Sequence, residues 1–135
     1  MKAITTFLFL LLFSFVSIGQ EVFFDGMYVM DRDDGEKGAY YYRFYPSGQV
    51  MYVLTSSEDV NQVRSWLNLE NINKHSNGFY FIEDNNIFMV LNTAFGSNLV
   101  RGSVEDKSLL LKTNFYSEGR VQGGKIISKY EYIEF

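Results

Sequence analysis

From Gln20 onward the apolar residues of this chain come in short segments bounded by Gly, Asn, Asp and Ser, and the segments are rich in Tyr, Phe, Val and Ile. That spacing is characteristic of strands. It predicts them over 22–31, 39–46, 49–56, 78–84, 86–93, 98–105, 108–115 and 125–135. The links carry turn chemistry. In "YPSG" Pro46 fixes φ and Gly48 sits at the exit, while "EDNN" (83–86) and "EDKS" (105–108) are tight polar reversals. Strands joined by links this short are antiparallel neighbours.

One segment breaks the period. "SSEDVNQVRSWLN" (56–68) opens with Ser56 three residues before Asp59 and spaces Val60, Val63 and Leu67 on one helical face. It predicts a single amphipathic helix that acts as a lid or plug, with Trp66 packing it onto the sheet, followed by a polar loop, "ENINKHSNG". The strands themselves lack clean alternation. "IFMVLN" (87–92) and "SLLLK" (108–112) are apolar on both faces, so something must cover the second face. The helix can cover part of it, and the inside of a barrel accounts for the other face. Eight antiparallel strands allow a sandwich or a closed barrel, and the barrel is favoured: the expected fold is all-β, an eight-stranded antiparallel meander barrel with one short helix. Closure also removes exposed strand edges.

The first residues change the picture of where the chain goes. "MKAITTFLFLLLFSFVSIGQ" has one positive charge at Lys2, an apolar run from Ile4 to Val16, and small residues at Ser17 and Gly19. This reads as a secretory signal peptide, residues 1–19, cut after Gly19. The run is shorter than the roughly 20 residues a bilayer core needs, so no stable membrane anchor is expected after cleavage. Residues 20–135 then form one domain of a secreted or periplasmic protein. Without Lys2 the balance of 12 basic and 16 acidic residues becomes 11 against 16, a net of −5. That argues against nucleic acid as a partner. There is no cysteine, so burial alone must hold the fold, and the 10 Tyr, one Trp and those Phe that lie beyond the leader supply the area.

An export signal, Gly-x-Tyr opening the first strand (Gly26, Met27, Tyr28), an eight-strand meander and a single helix together resemble the small lipocalin-like barrels of the calycin group. The resemblance implies a cup for a small apolar or amphipathic molecule. In lipocalins the motif is usually Gly-x-Trp, whose ring closes one end beneath a late arginine. Here Tyr28 takes that place, and Arg120 sits in the Gly-rich "SEGRVQGGK". A shorter echo links "DGMYVMDRD" (25–33) with "NGFYFIEDN" (77–85), either a trace of two half-barrels or two similar entries into strands.

Candidate chemistry is sparse. Cysteine nucleophiles are excluded by composition, and His75, the one histidine, lies in a polar loop with no Gly-x-Ser-x-Gly elbow in the chain. "DRDDGE" (31–36) gathers four acids, but its glycine falls one position early for an EF-hand-type loop. No cofactor, metal or enzymatic activity is expected. For a ligand, the candidates are Tyr28, Tyr42, Phe44 and Tyr52, with Arg43 and Arg101 as clamps for an acidic head group. Period two puts Tyr40, Tyr42 and Phe44 on one face of their strand and Tyr41, Arg43 and Tyr45 on the other. An inward Arg43 would need a carboxylate or an anionic ligand, and the cost of burying a bare guanidinium favours the outward register for both arginines. The alternative to a ligand cup is a barrel filled by its own side chains, an interaction or structural module that meets a partner of the cell envelope through Tyr41 and Tyr45.

Overall fold

The structure, a computed structural model, describes residues 19–117 and 120–135, with side chains described outside 115–126. Its strands are β1 (Gly26–Asp31), β2 (Ala39–Phe44), β3 (Gln49–Thr55), β4 (Ser76–Glu83), β5 (Asn86–Thr93), β6 (Gly96–Glu105), β7 (Ser108–Ser117) and β8 (Arg120–Glu134). Each pairs antiparallel with the next, and β8 pairs back onto β1 with Tyr28 opposite Tyr132, so the eight strands form a closed meander barrel. The expected fold class is the observed one. Among the described residues no helix is long and apolar enough to cross a membrane.

The turns follow from their residues. Gly48 takes φ +83° and donates to the Tyr45 carbonyl, while Tyr45 N–H donates to Gln49 O, which closes the β2–β3 hairpin. Asp84 and Asn85, both at positive φ, make the β4–β5 reversal, a conformation that short polar side chains tolerate.

Several predicted boundaries shift, and β8 begins at Arg120 rather than at 125. The first strand begins at Gly26, not at 22, because residues 19–25 run across one end of the barrel instead of along its wall. The Gln20 side chain accepts from Asp106 N–H, Gln20 N–H donates to Asn85, Val22 is buried, and Phe23 N–H donates to the Tyr28 hydroxyl. The helix, α1, is shorter than predicted, Val60–Trp66, because Asp59 and not Ser56 caps it: its carboxylate accepts from Asn61 and Gln62 N–H. A 3-10 turn, Leu69–Lys74, occupies the predicted polar loop.

The echo falls in β1 and β4, three strands apart, and so does not divide the barrel into two halves of four. It has a local cause. At Gly26 and Gly78 a Cβ would collide with the carbonyl oxygens of Ile133 and Val90 in the neighbouring strand, so both strands enter the barrel where only glycine fits.

Candidate functional site: interior, mouth and outer walls

Inward residues of successive strands build the barrel in layers. The floor holds Tyr28, Phe44, Ile87, Val104 and Leu109 beneath Val22. Above it lie Tyr42, Met89, Leu91, Val100, Leu111 and Tyr130. The rings touch in one network. Tyr28 meets Phe44 edge-on at 5.5 Å, Phe44 meets Tyr80 at 4.9 Å, and Tyr42 lies 4.8 Å from Tyr52 and 5.0 Å from Tyr130. Tyr42 is 3 % exposed, and Phe44, Val50, Ile87, Leu91, Val100 and Leu109 are 0 %. Side chains that offer no surface to a water molecule leave no water-sized void between them. The floor and middle layers are thus packed by the chain's own side chains.

The phenols in this interior are held neutral. Desolvation pushes Tyr42, Tyr52 and Tyr130 well above the ordinary phenol range, and the Tyr42 hydroxyl hydrogen-bonds that of Tyr130. Burial raises Tyr80 to about 12, while its hydroxyl donates to the Tyr45 carbonyl at 2.8 Å. The lining also loosens toward the opposite end, where Met30, Tyr40 and Tyr52 are half-buried and Leu54 is exposed. This is the mouth of the barrel. At the closed end two clefts lie beside the crossing segment, and the smaller, about 330 Å³, is lined by Glu21, Val22, Phe24, Pro46, Tyr80 and Ile82.

Two outer walls differ sharply. On the first, α1 lies over β1–β3, with Val63 and Leu67 fully buried against Met27, Tyr41 and Met51, and Trp66 packed at the edge. The helix covers outward residues rather than plugging the mouth, and Trp66 holds it to the barrel as expected. Full burial of each aliphatic side chain contributes about 1.5–3 kcal/mol. Arg43 points outward here. Its Nη1 donates to the Leu67 carbonyl at 2.6 Å, and its guanidinium carbon lies 4.7 Å from the Phe135 ring and 5.3 Å from that of Tyr45. The Tyr45 hydroxyl donates to the same carbonyl at 2.6 Å. Tyr41 and Tyr45, the expected contact surface for a partner, are 4 % and 8 % exposed. They are roofed by the helix, and that surface is not available.

The second wall is bare. Phe79, Phe81 and Val90 are 66 %, 59 % and 50 % exposed, and strand register makes them neighbours: Phe79 pairs with Val90 and Val90 with Leu99, while Phe81 pairs with Phe88 and Phe88 with Arg101. The rings of Phe81 and Phe88 stack at 4.8 Å, and the Arg101 guanidinium lies 5.9 Å from Phe88. The doubly apolar "IFMVLN" is explained here. Ile87, Met89 and Leu91 face the core, whereas Phe88 and Val90 face outward with no covering element among the described residues. Leu110 of "SLLLK" is likewise 41 % exposed. The interior takes one face of these strands as expected, while the helix, expected to cover part of the other, packs on β1–β3 and does not reach them.

The six sequence-derived site residues therefore divide. Tyr28, Tyr42 and Phe44 are buried inside, Tyr52 lines the mouth, and Arg43 and Arg101 lie outside on different walls, so the arginines cannot clamp a ligand held by the inner rings. Tyr28 does close one end of the barrel. Arg120 opens β8, and its side chain lies outside the described residues. In the 31–36 loop the Asp34 carboxylate is taken by Arg32 and by Glu36 N–H, and among the described residues no three His, Cys, Asp or Glu side chains are grouped to hold a metal ion. His75 is half-buried at the end of the 3-10 turn. Phe79, Phe81 and Val90 did not stand out from the sequence, although the double-sided apolar pattern was the signal that held them. The geometry defines a closed eight-stranded meander barrel with one covered and one uncovered wall. Comparison of the chain with protein-family models, curated proteins and solved structures finds no match.

Proposed function

We propose that this chain is an exported, non-enzymatic β-barrel that works as an interaction module, holding a protein partner on the outer wall of β4–β6. One contrast carries the reading: the inner rings of Tyr28, Tyr42 and Phe44 are buried to 3 % exposure or less, while Phe79, Phe81 and Val90 on the outside are left at 50 % or more. Large exposed apolar patches on a folded protein mark sites of association. Neither the mouth nor the wall assembles an acid, a base and a nucleophile in one place, which supports a role without catalysis. Export rests on the leader-like residues 1–19, and kinship with lipocalin-like barrels rests on the strand meander and the floor position of Tyr28. The test is site-specific photo-crosslinking from position 79 in cells that produce the full chain. The reading expects a discrete adduct that is lost from a probe at Ser47, on the exposed β2–β3 turn; equal labelling from both positions, or none, would refute it.

A second reading is favoured by the mouth, where Tyr40 and Tyr52 stack at 6.2 Å and remain half-buried. A small amphipathic molecule seated there would meet two phenol faces and the Met30 side chain. Native mass spectrometry of the exported protein, with Tyr52→Ala as the comparison, tests it: a bound small molecule lost on substitution supports the cup, and bare protein in both removes it.

A further inference from the structure

Resting on the reading of β4–β6 as an interaction wall, we infer that its partner is a second copy of this chain, giving a two-fold dimer with Phe79, Phe81, Phe88, Val90 and Leu99 as the core of the interface. The area fits. From their exposed fractions these five residues present roughly 450 Å² of apolar surface. A standard interface covers about 800 Å² per partner, a little over half of it apolar, so the wall supplies about the apolar share such an interface needs.

The rim fits as well. Asn77, Asn86, Asn92 and Asn114 border the patch on the same outer face, with Glu83 and Lys112 beside them. An amide both donates and accepts, so Asn86 and Asn92 of β5 can pair with their own copies, and a rim that holds one charge of each sign carries no excess of either when two identical surfaces meet. An anionic membrane is a poorer occupant, because a chain of net −5 beyond its leader is repelled by it.

The position of Arg101 points the same way. It makes no ion pair among the described residues and touches one ring, that of Phe88. Arg43, on the covered wall, lies against two rings, Tyr45 and Phe135. If the two-fold axis runs along β5, parallel to the strands, β4 of one copy lies over β6 of the other. Phe88 then faces its own copy, and each Arg101 faces the other copy's Phe81. The guanidinium gains the second ring that Arg43 already has, and the two arginines are kept apart.

Sedimentation velocity on residues 20–135, whose closed sheet is built from residues 26–134, tests this from about 1 to about 100 µM, a range that resolves micromolar dissociation constants. The expected result is a concentration-dependent doubling of mass. Phe81→Asp should weaken it at least about tenfold while lowering the urea midpoint of the dilute protein only slightly, through the lost stack on Phe88, since the ring is 59 % exposed. Ile127→Asp, at a 69 % exposed residue of β8 outside the patch, should leave the dimer intact. A monomer throughout the range, or a dimer indifferent to Phe81→Asp, overturns the inference. In that case a position-79 adduct with a different protein would keep the interaction wall while rejecting the second copy, so the two failures are distinct.

Discussion

Beside its apolar face, the contact between α1 and the barrel has one polar tie, a carbonyl with two donors, and this makes a sharp thermodynamic prediction. Leu67 O is among the last carbonyls of the helix, which have no partner within it. Arg43 Nη1 and the Tyr45 hydroxyl both reach it at 2.6 Å. Arg43→Met keeps the apolar stem and removes a charge-assisted bond worth about 1.5–3 kcal/mol. It also removes Arg43 Nε, a buried donor with no partner among the described residues, whose stranding costs about 1–3 kcal/mol. The two effects offset, and with Tyr45 still bonded to Leu67 O the net loss should be about 1 kcal/mol. Tyr45→Phe should cost about the same, because Arg43 remains. In the double variant the carbonyl is buried with no donor, and that adds about 1–3 kcal/mol beyond the sum of the singles. Urea unfolding of the four proteins measures this coupling directly, and each kcal/mol should also lower Tm by about 4 °C for a domain of this size. Additivity within about 0.5 kcal/mol would refute the shared-acceptor account of how the helix is held.

Three further outcomes are expected. Alkaline titration followed at the phenolate absorbance should show Tyr42, Tyr52 and Tyr130 silent until the barrel unfolds and Tyr80 titrating near 12. Below the ordinary phenol value near 10 folded and unfolded chains hold the same protons, whereas above it the unfolded chain releases protons that the barrel retains, so stability falls as pH rises; reversible ionisation of every tyrosine near 10 in folded protein would contradict this. Gly78→Ala should cost at least about 3 kcal/mol, because its methyl meets the Val90 carbonyl of the paired strand. Gly35→Ala, at φ +80° in open space, should cost only about 1 kcal/mol, and equal losses in urea unfolding would sink the steric argument. Intact-mass analysis of exported protein should find Gln20 as the first residue, and a chain that retains residues 1–19 would remove the leader reading.

Much of the fold was legible because strand boundaries are local. The Pro46–Gly48 turn and the two acidic reversals lie where their chemistry places them, and the inner faces of β2 and β5 follow from period two alone. What was not legible depended on distant partners. Residues 22–25 look like strand by composition, yet Val22 and Phe23 are drawn across the barrel end by Tyr28 and by the turns that carry Asn85 and Asp106. Ser56 satisfies a capping pattern on paper, but Asp59 has the carboxylate nearer to the first free N–H groups. For the site, the cost of burial favoured outward arginines but left an inward pair of clamps open, and both arginines lie outside. The remaining ambiguity was which outward face would be roofed.

That ambiguity has a physical origin. β2 presents Tyr41, Arg43 and Tyr45 outward, and β5 and β6 together present Phe88, Val90, Leu99 and Arg101, so both walls read as rings and aliphatics around one guanidinium. Periodicity records that a residue leaves water, not which segment takes it away. On the first wall the covering segment is encoded a few residues later, in Val60, Val63, Trp66 and Leu67. For the second wall no such amphipathic stretch remains: the rest of the described chain is committed to strands, tight turns and the crossing segment at the floor. The apolar residues of β4–β6 cost solubility while they stay exposed, and among the described residues nothing offsets that cost. That imbalance is what supports the proposal of a cover from another molecule, and a copy of the same wall would supply it without requiring any further sequence.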